Sequence, residues 1–354
     1  MKKLIALLLA LAMVLSLAAC GAKEEPAPAP APEAPAADAP AAEAPAEEAP
    51  AEAELITVGF AQVGHESDWR MANTADYQKV FSEENGYELM FVDCDNDNAV
   101  QIEAVRTSIQ QDVDYIILAP IQSAGWEAVL QEAKDAGIPV IVADRQVDAD
   151  ASMYDAFIGT DCYVEGVAAG NWLAEYLNGE PAKILEIYGT IGASAAIGRA
   201  EGFAEVMAEH PEWELLDSQS GDFTQTGGQE VMESFIKSYD DFNVVYCHND
   251  NEAYGAMDAM DAAGITYGIG GDVIIISFDA THDGLQYTLD GRIHCNVECN
   301  PIQANYVHEI IQLMEAGQEF PTYTLVEDSA FVAPGIESQY AITMTQEILD
   351  GRAY

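Results

Sequence analysis

The stretch LITVGFAQVGHESDWR, residues 55–70, decides the fold. Its first half is a mostly apolar run rich in β-branched residues, with no polar alternation beyond Thr57 before Gln62, the pattern of a strand covered on both faces, and its second half turns polar within two residues. The same unit recurs along the chain. Further strand candidates fall at 88–94, 115–120, 139–145 and 156–161, then at 183–189, 214–222, 244–250, 273–279 and 293–300. Between them, segments such as 124–136 and 251–263 carry apolar residues at spacings of three and four, and helical stretches stop at Gly137, Gly264 and Gly317. Continuous apolar strands alternating with helices predict an α/β fold of parallel sheets with helices on both faces. The series is too long for one sheet, and its midpoint near residues 159–161 predicts two lobes.

In open α/β sheets, ligands bind outside the carboxyl ends of the strands, and that is where this chain places its polar clusters. The first strand runs into Gly64-His65-Glu66-Ser67-Asp68-Trp69-Arg70, and another ends at Asp144-Arg145. In the second half, strand ends lead to Ala195-Ala196-Ile197-Gly198-Arg199, Gly221-Asp222-Phe223, His248-Asn249-Asp250 and Phe278-Asp279. Three of the ten basic residues in 55–354, Arg70, Arg145 and Arg199, sit in these clusters. Sugar hydroxyls both donate and accept. A polyol site therefore needs fixed acceptors (Glu66, Asp144, Asp279), fork donors (the three arginines) and amides such as Asn249, with Trp69 or Phe223 covering the apolar side of a ring. Each residue also has a purely structural reading: Asp144-Arg145 as a strand-end ion pair, Asn249 and Asp250 as a helix cap, Trp69 and Phe223 as core.

Charge narrows the partners. The 354 residues hold 13 Lys and Arg against 61 Asp and Glu, a formal net charge of -48, which repels nucleic acid and anionic membrane surfaces. Residues 55–354 carry 10 of the basic and 52 of the acidic side chains, so the acidity belongs to the folded part. Ahead of it, Lys2 and Lys3 precede an apolar run at 4–19, too short for a membrane span, that ends in Leu17-Ala18-Ala19-Cys20. This resembles a bacterial lipoprotein signal, with Cys20 as the lipidated residue. Residues 21–54, built of Ala, Pro and Glu, bury nothing and read as an extended tether.

Val58-Gly59-Phe60, Gln62-Val63-Gly64, Glu66-Ser67, Trp69-Arg70, Ile117-Leu118-Ala119-Pro120, Gly125-Trp126, the run at 132–136, the run at 218–224 and His248-Asn249-Asp250 together resemble the galactofuranose-binding branch of the ribose/galactose-type periplasmic binding proteins. The resemblance covers nearly all of 55–320. It implies two doubly wound parallel-sheet lobes joined by a three-crossover hinge, with one lobe built from 55–159 plus 300–330 and the other from 160–299 plus 331–354. It further implies a monomeric binding protein of an ABC transporter, not an enzyme, that closes on one monosaccharide and passes it to a membrane permease. No cofactor is expected, and membrane contact only through the lipid, on the outer face. By the same resemblance the ligand residues are Glu66, Ser67, Asp68, Trp69, Arg70, Asp144, Arg145, Arg199, Asn249 and Asp279, with Phe223. The chain departs from the family pattern at Asp68, Gly198 and Ala280. The hinge is expected near 159–161, 299–301 and 330–335.

Other chemistries fare worse. No glycine fingerprint follows the first strand and no Gly-Lys-Ser/Thr loop occurs, so dinucleotide or NTP use lacks its loop. Asp93-Cys94-Asp95-Asn96-Asp97-Asn98 starts like a calcium loop but lacks its glycine and closing glutamate, which favours helix capping. His65, His248 and His294 show no ligand spacing. A glycosidase could use Glu66 and Asp279, but three nearby arginines are expected to keep both ionised and leave no general acid. Sensing through a membrane receptor stays open beside transport. Cys94, Cys162, Cys247, Cys295 and Cys299 read as small buried thiols.

Overall fold

The structure is a computed structural model that describes residues 54–354; the expected leader, Cys20 and most of the tether lie outside the described residues. The chain begins β1 (Ile56–Gln62), α1 (Asp68–Val80), β2 (Tyr87–Asp93), α2 (Asn98–Gln110), β3 (Tyr115–Leu118), α3 (Glu127–Ala136), β4 (Val140–Asp144) and β5 (Ala156–Gly159). It continues α4 (Cys162–Leu177), β6 (Ala182–Tyr188), α5 (Ser194–Met207), β7 (Trp213–Ser220), α6 (Gln225–Ser238), β8 (Val244–Cys247), α7 (Asp250–Ala263), β9 (Ile274–Asp279), α8 (His282–Leu289) and β10 (Cys295–Glu298). The last part is α9 (Ala304–Glu315), β11 (Tyr323–Leu325), β12 (Ala330–Val332), β13 (Ile342–Thr343) and α10 (Gln346–Asp350).

Two sheets result, ordered β11-β5-β4-β3-β1-β2 and β13-β12-β10-β9-β8-β6-β7. All pairings are parallel except β10 with β12. Each sheet has its order reversal beside its first strand, β1 and β6, which opens a crevice at the strand ends. The continuous apolar strands have the expected cause: in the second sheet Ile184, Tyr246, Ile276 and Phe278 pack on one side with Trp172 and Phe203, while Leu185, Val245, Cys247 and Ile275 pack on the other with Phe235 and Met257. Gly137 and Gly264 end α3 and α7 in the left-handed region, as their positions predict.

The chain passes between the sheets three times: from β5 to α4, from β10 to α9, and from β11 to β12. The third passage falls at residues 326–329, ahead of the expected 330–335, because Ala330 already pairs with Val297 in the second sheet. The short strands β11, β12 and β13 escape sequence reading: two or three residues carry no periodicity, and only their partners make them strands.

Candidate functional site

The polar strand ends converge on one small cavity between the two sheets. It is lined by Glu66, Ser67, Trp69, Arg70, Asp144 and Arg145 from the first, by Ala195, Arg199, Phe223, Asn249 and Asp279 from the second, and by Cys299 on a crossover. Of the residues expected there, only Asp68 is elsewhere: it is exposed, and it contacts Asn251 instead of the cavity. Ala195 and Cys299 carried no polar signal that sequence reasoning could use.

Residues 66–70 are mostly the start of α1. Ser67 is its N-cap and accepts from the Arg70 N–H at 3.2 Å, so Trp69 and Arg70 occupy the first turn. Asn249 likewise caps α7, accepting from the Glu252 N–H at 2.8 Å, while its Nδ2 donates to the Phe223 carbonyl at 2.9 Å. Cap and cavity roles therefore coexist in one side chain. With α5 and α6 also starting beside the cavity, four helix N-termini face it and favour acceptors there. Asp144 (φ 64°), Phe223 (φ 61°) and Asp279 (φ 94°) are all held in the left-handed region, a strain of the kind that clusters at ligand sites. The Phe223 ring lies against Gly189: a Cβ there would sit 2.2 Å from the ring.

Charges are arranged as two paired arginines and one underused one. Arg70 donates to Asp144 at 2.7 Å, Glu66 at 3.0 Å and Gln62 at 3.1 Å. Burial alone would lower its pKa, but Asp144 and Glu66 outweigh that and raise it. Arg199 is held by Glu165 at 2.7 Å, by the His248 carbonyl and, at 3.5 Å, by Asp279. Arg145 has only the Ile121 carbonyl at 3.3 Å, with Glu66 and Asp144 at 3.6 and 3.8 Å and the Phe223 ring beneath it at 5.0 Å. Burial and the neighbouring Arg70 lower its pKa. The closest partner of Asp144 is thus Arg70, and the expected Asp144–Arg145 pair is present beside it at the longer distance. Opposite these donors, the buried Glu66 Oε2 has no hydrogen-bond partner among the described residues. Asp279 departs from expectation: burial pushes its carboxyl well above the usual range, and Arg199 does not offset this.

Arg145 N–H groups, Glu66 Oε2 and the Asp279 carboxyl are the groups with capacity left over, a mixture of donor and acceptors that matches hydroxyls. Packing is tight: the cavity volume is about 20 Å³, on a scale where a single water needs ~10–15 Å³. A ring-sized ligand enters only when the two walls separate. A larger cavity of about 540 Å³ borders the crossovers at Asp161 and Val326; its lining, which includes Glu165, Leu325, Asp328 and Ile342, contains no basic side chain and none of the expected ligand residues.

The other expectations resolve locally. Asp97 caps α2, accepting from the Ala99 and Val100 N–H groups, which is the capping role favoured over a calcium loop. The five described cysteines are free thiols, four buried and Cys162 partly exposed. His65 pairs with Asp93 at the surface, whereas His248 and His294 are buried.

The periplasmic binding protein domain family matches residues 58–316. The galactofuranose-binding protein YtfQ of Escherichia coli (strain K12) is 39% identical over 283 residues, 79% of this chain and 88% of that protein. A Mycobacterium smegmatis crystal structure in complex with β-D-fucofuranose shares 44% identity, with a TM-score of 0.75 over 78% of this chain and 91% of that one. The binding protein of the arabinose ABC transporter from Shewanella sp. ANA-3, bound to α- and β-L-arabinofuranose, shares 37% identity with a TM-score of 0.74 over 78% and 91%. Sequence match, paired sheets and a cleft at the strand ends agree, and the chain belongs to the periplasmic binding protein domain family.

Proposed function

We propose that this chain is the extracytoplasmic sugar-binding component of an ABC transporter, that it takes an aldose in its furanose form, and that the cavity between the sheets is where the sugar sits. The observation that carries this is the leftover hydrogen-bonding capacity of Arg145, Glu66 and Asp279 beside Phe223 and Trp69, an array suited to a neutral polyol with one apolar face. The relatives support the furanose, since galactofuranose, fucofuranose and arabinofuranose are what their names give them. Family membership, and not the ionisation of Asp279, separates the chain from hydrolases. The sequence at 2–20 supports a lipid anchor on Cys20, and the acidic, Pro-rich residues 21–54 a tether that holds the lobes near a permease.

A thermal-shift titration of residues 55–354 with L-arabinose, D-fucose and D-galactose, each compared with its furanose-locked methyl glycoside and with D-ribose, tests the ligand. At 100 times Kd a sugar adds about 2.7 kcal/mol of stability. Stabilisation by the pyranose-rich sugars alone would overturn the furanose; no stabilisation by any aldose would overturn the sugar. For the anchor, Cys20→Ser releases the full chain from membranes, and continued retention would overturn lipidation.

A further inference from the structure

The lobes also touch outside the cavity, at two lips. On one side the contacts end largely on main-chain atoms: the Ser123 N–H donates to the Gly192 carbonyl at 2.8 Å, and the Gln146 N–H to the Ser194 hydroxyl at 2.8 Å. On the other side lies a reciprocal pair. The Asp68 N–H donates to Asn251 Oδ1 at 3.0 Å, and Asn251 Nδ2 donates back to Asp68 Oδ2 at 3.3 Å.

We infer that Asp68 and Asn251 form a latch that sets how long a captured sugar stays in the cleft without either residue touching it. The inference rests on the sugar-binding reading given above. Its physical basis is the helix ends. Asp68 is the first residue of α1, so its N–H has no acceptor within its own helix. The Ser67 hydroxyl is already taken by Arg70, so the acceptor for the Asp68 N–H comes from the opposite lobe, as Asn251. In return, the Asp68 carboxylate accepts from Asn251 in the first turn of α7, where the helix dipole favours a negative charge. Asp250 does not compete for that position: its carboxylate is turned inward to Ser277, Thr281 and Asn296.

Latch and cavity move together because they share elements. Helix α1 carries Asp68 at the lip and Trp69 and Arg70 at the cavity; α7 carries Asn251 at the lip and its cap Asn249 at the cavity. Parting the lobes to release a sugar breaks both hydrogen bonds, and water replaces them. Two such bonds, each modest after exchange with water, amount to a roughly tenfold effect on the open–closed balance. The pair is absent from the open state and the encounter, so its effect falls on release rather than on association.

The test is stopped-flow release of L-arabinose and D-galactose followed by tryptophan fluorescence, on the full chain and on Asn251→Asp, Asp68→Asn and the double swap. Asn251→Asp sets two carboxylates against each other and speeds release roughly tenfold or more, with association within about twofold. In the swap the residue-68 N–H still donates to the side chain at 251, the side-chain bond is remade with donor and acceptor exchanged, and release returns to within about threefold of the parent. Unchanged release in Asn251→Asp, or a swap as fast as the single variant, overturns the latch. Hydrogen exchange at the Asp68 amide, read at saturating sugar, judges the latch separately from the ligand, because the thermal shift already shows whether a sugar binds. Protection falls in Asn251→Ala if the contact holds the closed lobes; unchanged protection with sugar bound overturns the latch, and no binding by any sugar overturns the reading it rests on.

Discussion

Arg145 is where the site is most exposed to a single change. Of the three cavity arginines it makes the fewest hydrogen bonds to protein, and Asp144 keeps Arg70 when it goes, so Arg145→Ala removes the proposed ligand donors without orphaning a carboxylate. Binding measured by calorimetry should weaken at least ~100-fold with little loss of stability, because charge-assisted bonds contribute about 1.5–3 kcal/mol each. Arg106, paired with Glu132 at the surface, serves as the control, and Arg106→Ala should leave affinity unchanged. Equal effects from the two would place the sugar elsewhere. Gly189 offers a second test. A methyl group there collides with the Phe223 ring, whose backbone is already in the left-handed region, so the ring must leave the cavity wall. Gly189→Ala should weaken binding about tenfold and cost roughly 1–3 kcal/mol of stability by denaturant unfolding; an unaltered Kd would show that Phe223 does not face the ligand.

At the scale of elements, the helix starts do the positioning. Ser67, Asn249 and Thr224 cap α1, α7 and α6, and each cap sits within two residues of a cavity side chain, so the hydrogen bond that starts the helix also fixes the direction of the ligand group. Helix α5 is fixed differently. It packs on α4 through glycines: a Cβ at Gly202 would lie 2.1 Å from the Tyr163 carbonyl, and one at Gly198 would lie 2.9 Å from the Tyr163 N–H. That close approach leaves no room for a side chain at 198, and it carries Arg199 to Glu165. Gly202→Ala should push the helices apart, destabilise by roughly 2–3 kcal/mol and weaken sugar binding through Arg199. Loss of stability with full affinity would separate the helix packing from the site.

For the whole molecule, acid stability and closure are the measurable properties. Burial lowers the His294 pKa to about 4 from its ordinary 6.5. Between those values the unfolded chain binds a proton that the folded protein refuses, so stability falls as pH drops from 6.5 through 4, by up to about 3 kcal/mol in all. In urea unfolding across that range, His294→Gln should remove about one proton from the pH slope; an unchanged slope would mean that carboxylates alone set it. Closure is checked by small-angle scattering with and without the preferred sugar. The chain should show the larger radius of gyration without sugar and should contract at saturation. No contraction would rule out hinge closure as the binding step.

The sequence by itself determined the α/β class, the ten main strands, and the strand ends as the place of the chemistry. Strand burial leaves a local record in mostly apolar runs such as 56–62 and 115–118, and glycines such as Gly137 and Gly264 mark helix ends in the chain itself. The resemblance carried by the Glu66–Arg70 and His248–Asp250 motifs supplied the family. Only the tertiary structure decided who pairs with whom. Asp144 bonds Arg70 more closely than its neighbour Arg145, Asp68 meets Asn251 on the other lobe instead of the cavity, Asp279 is pushed toward its neutral form, and the third crossover ends before Ala330. These outcomes depend on distances between residues 74 to 183 positions apart and on water excluded by packing from both lobes, neither of which is written in local composition or spacing.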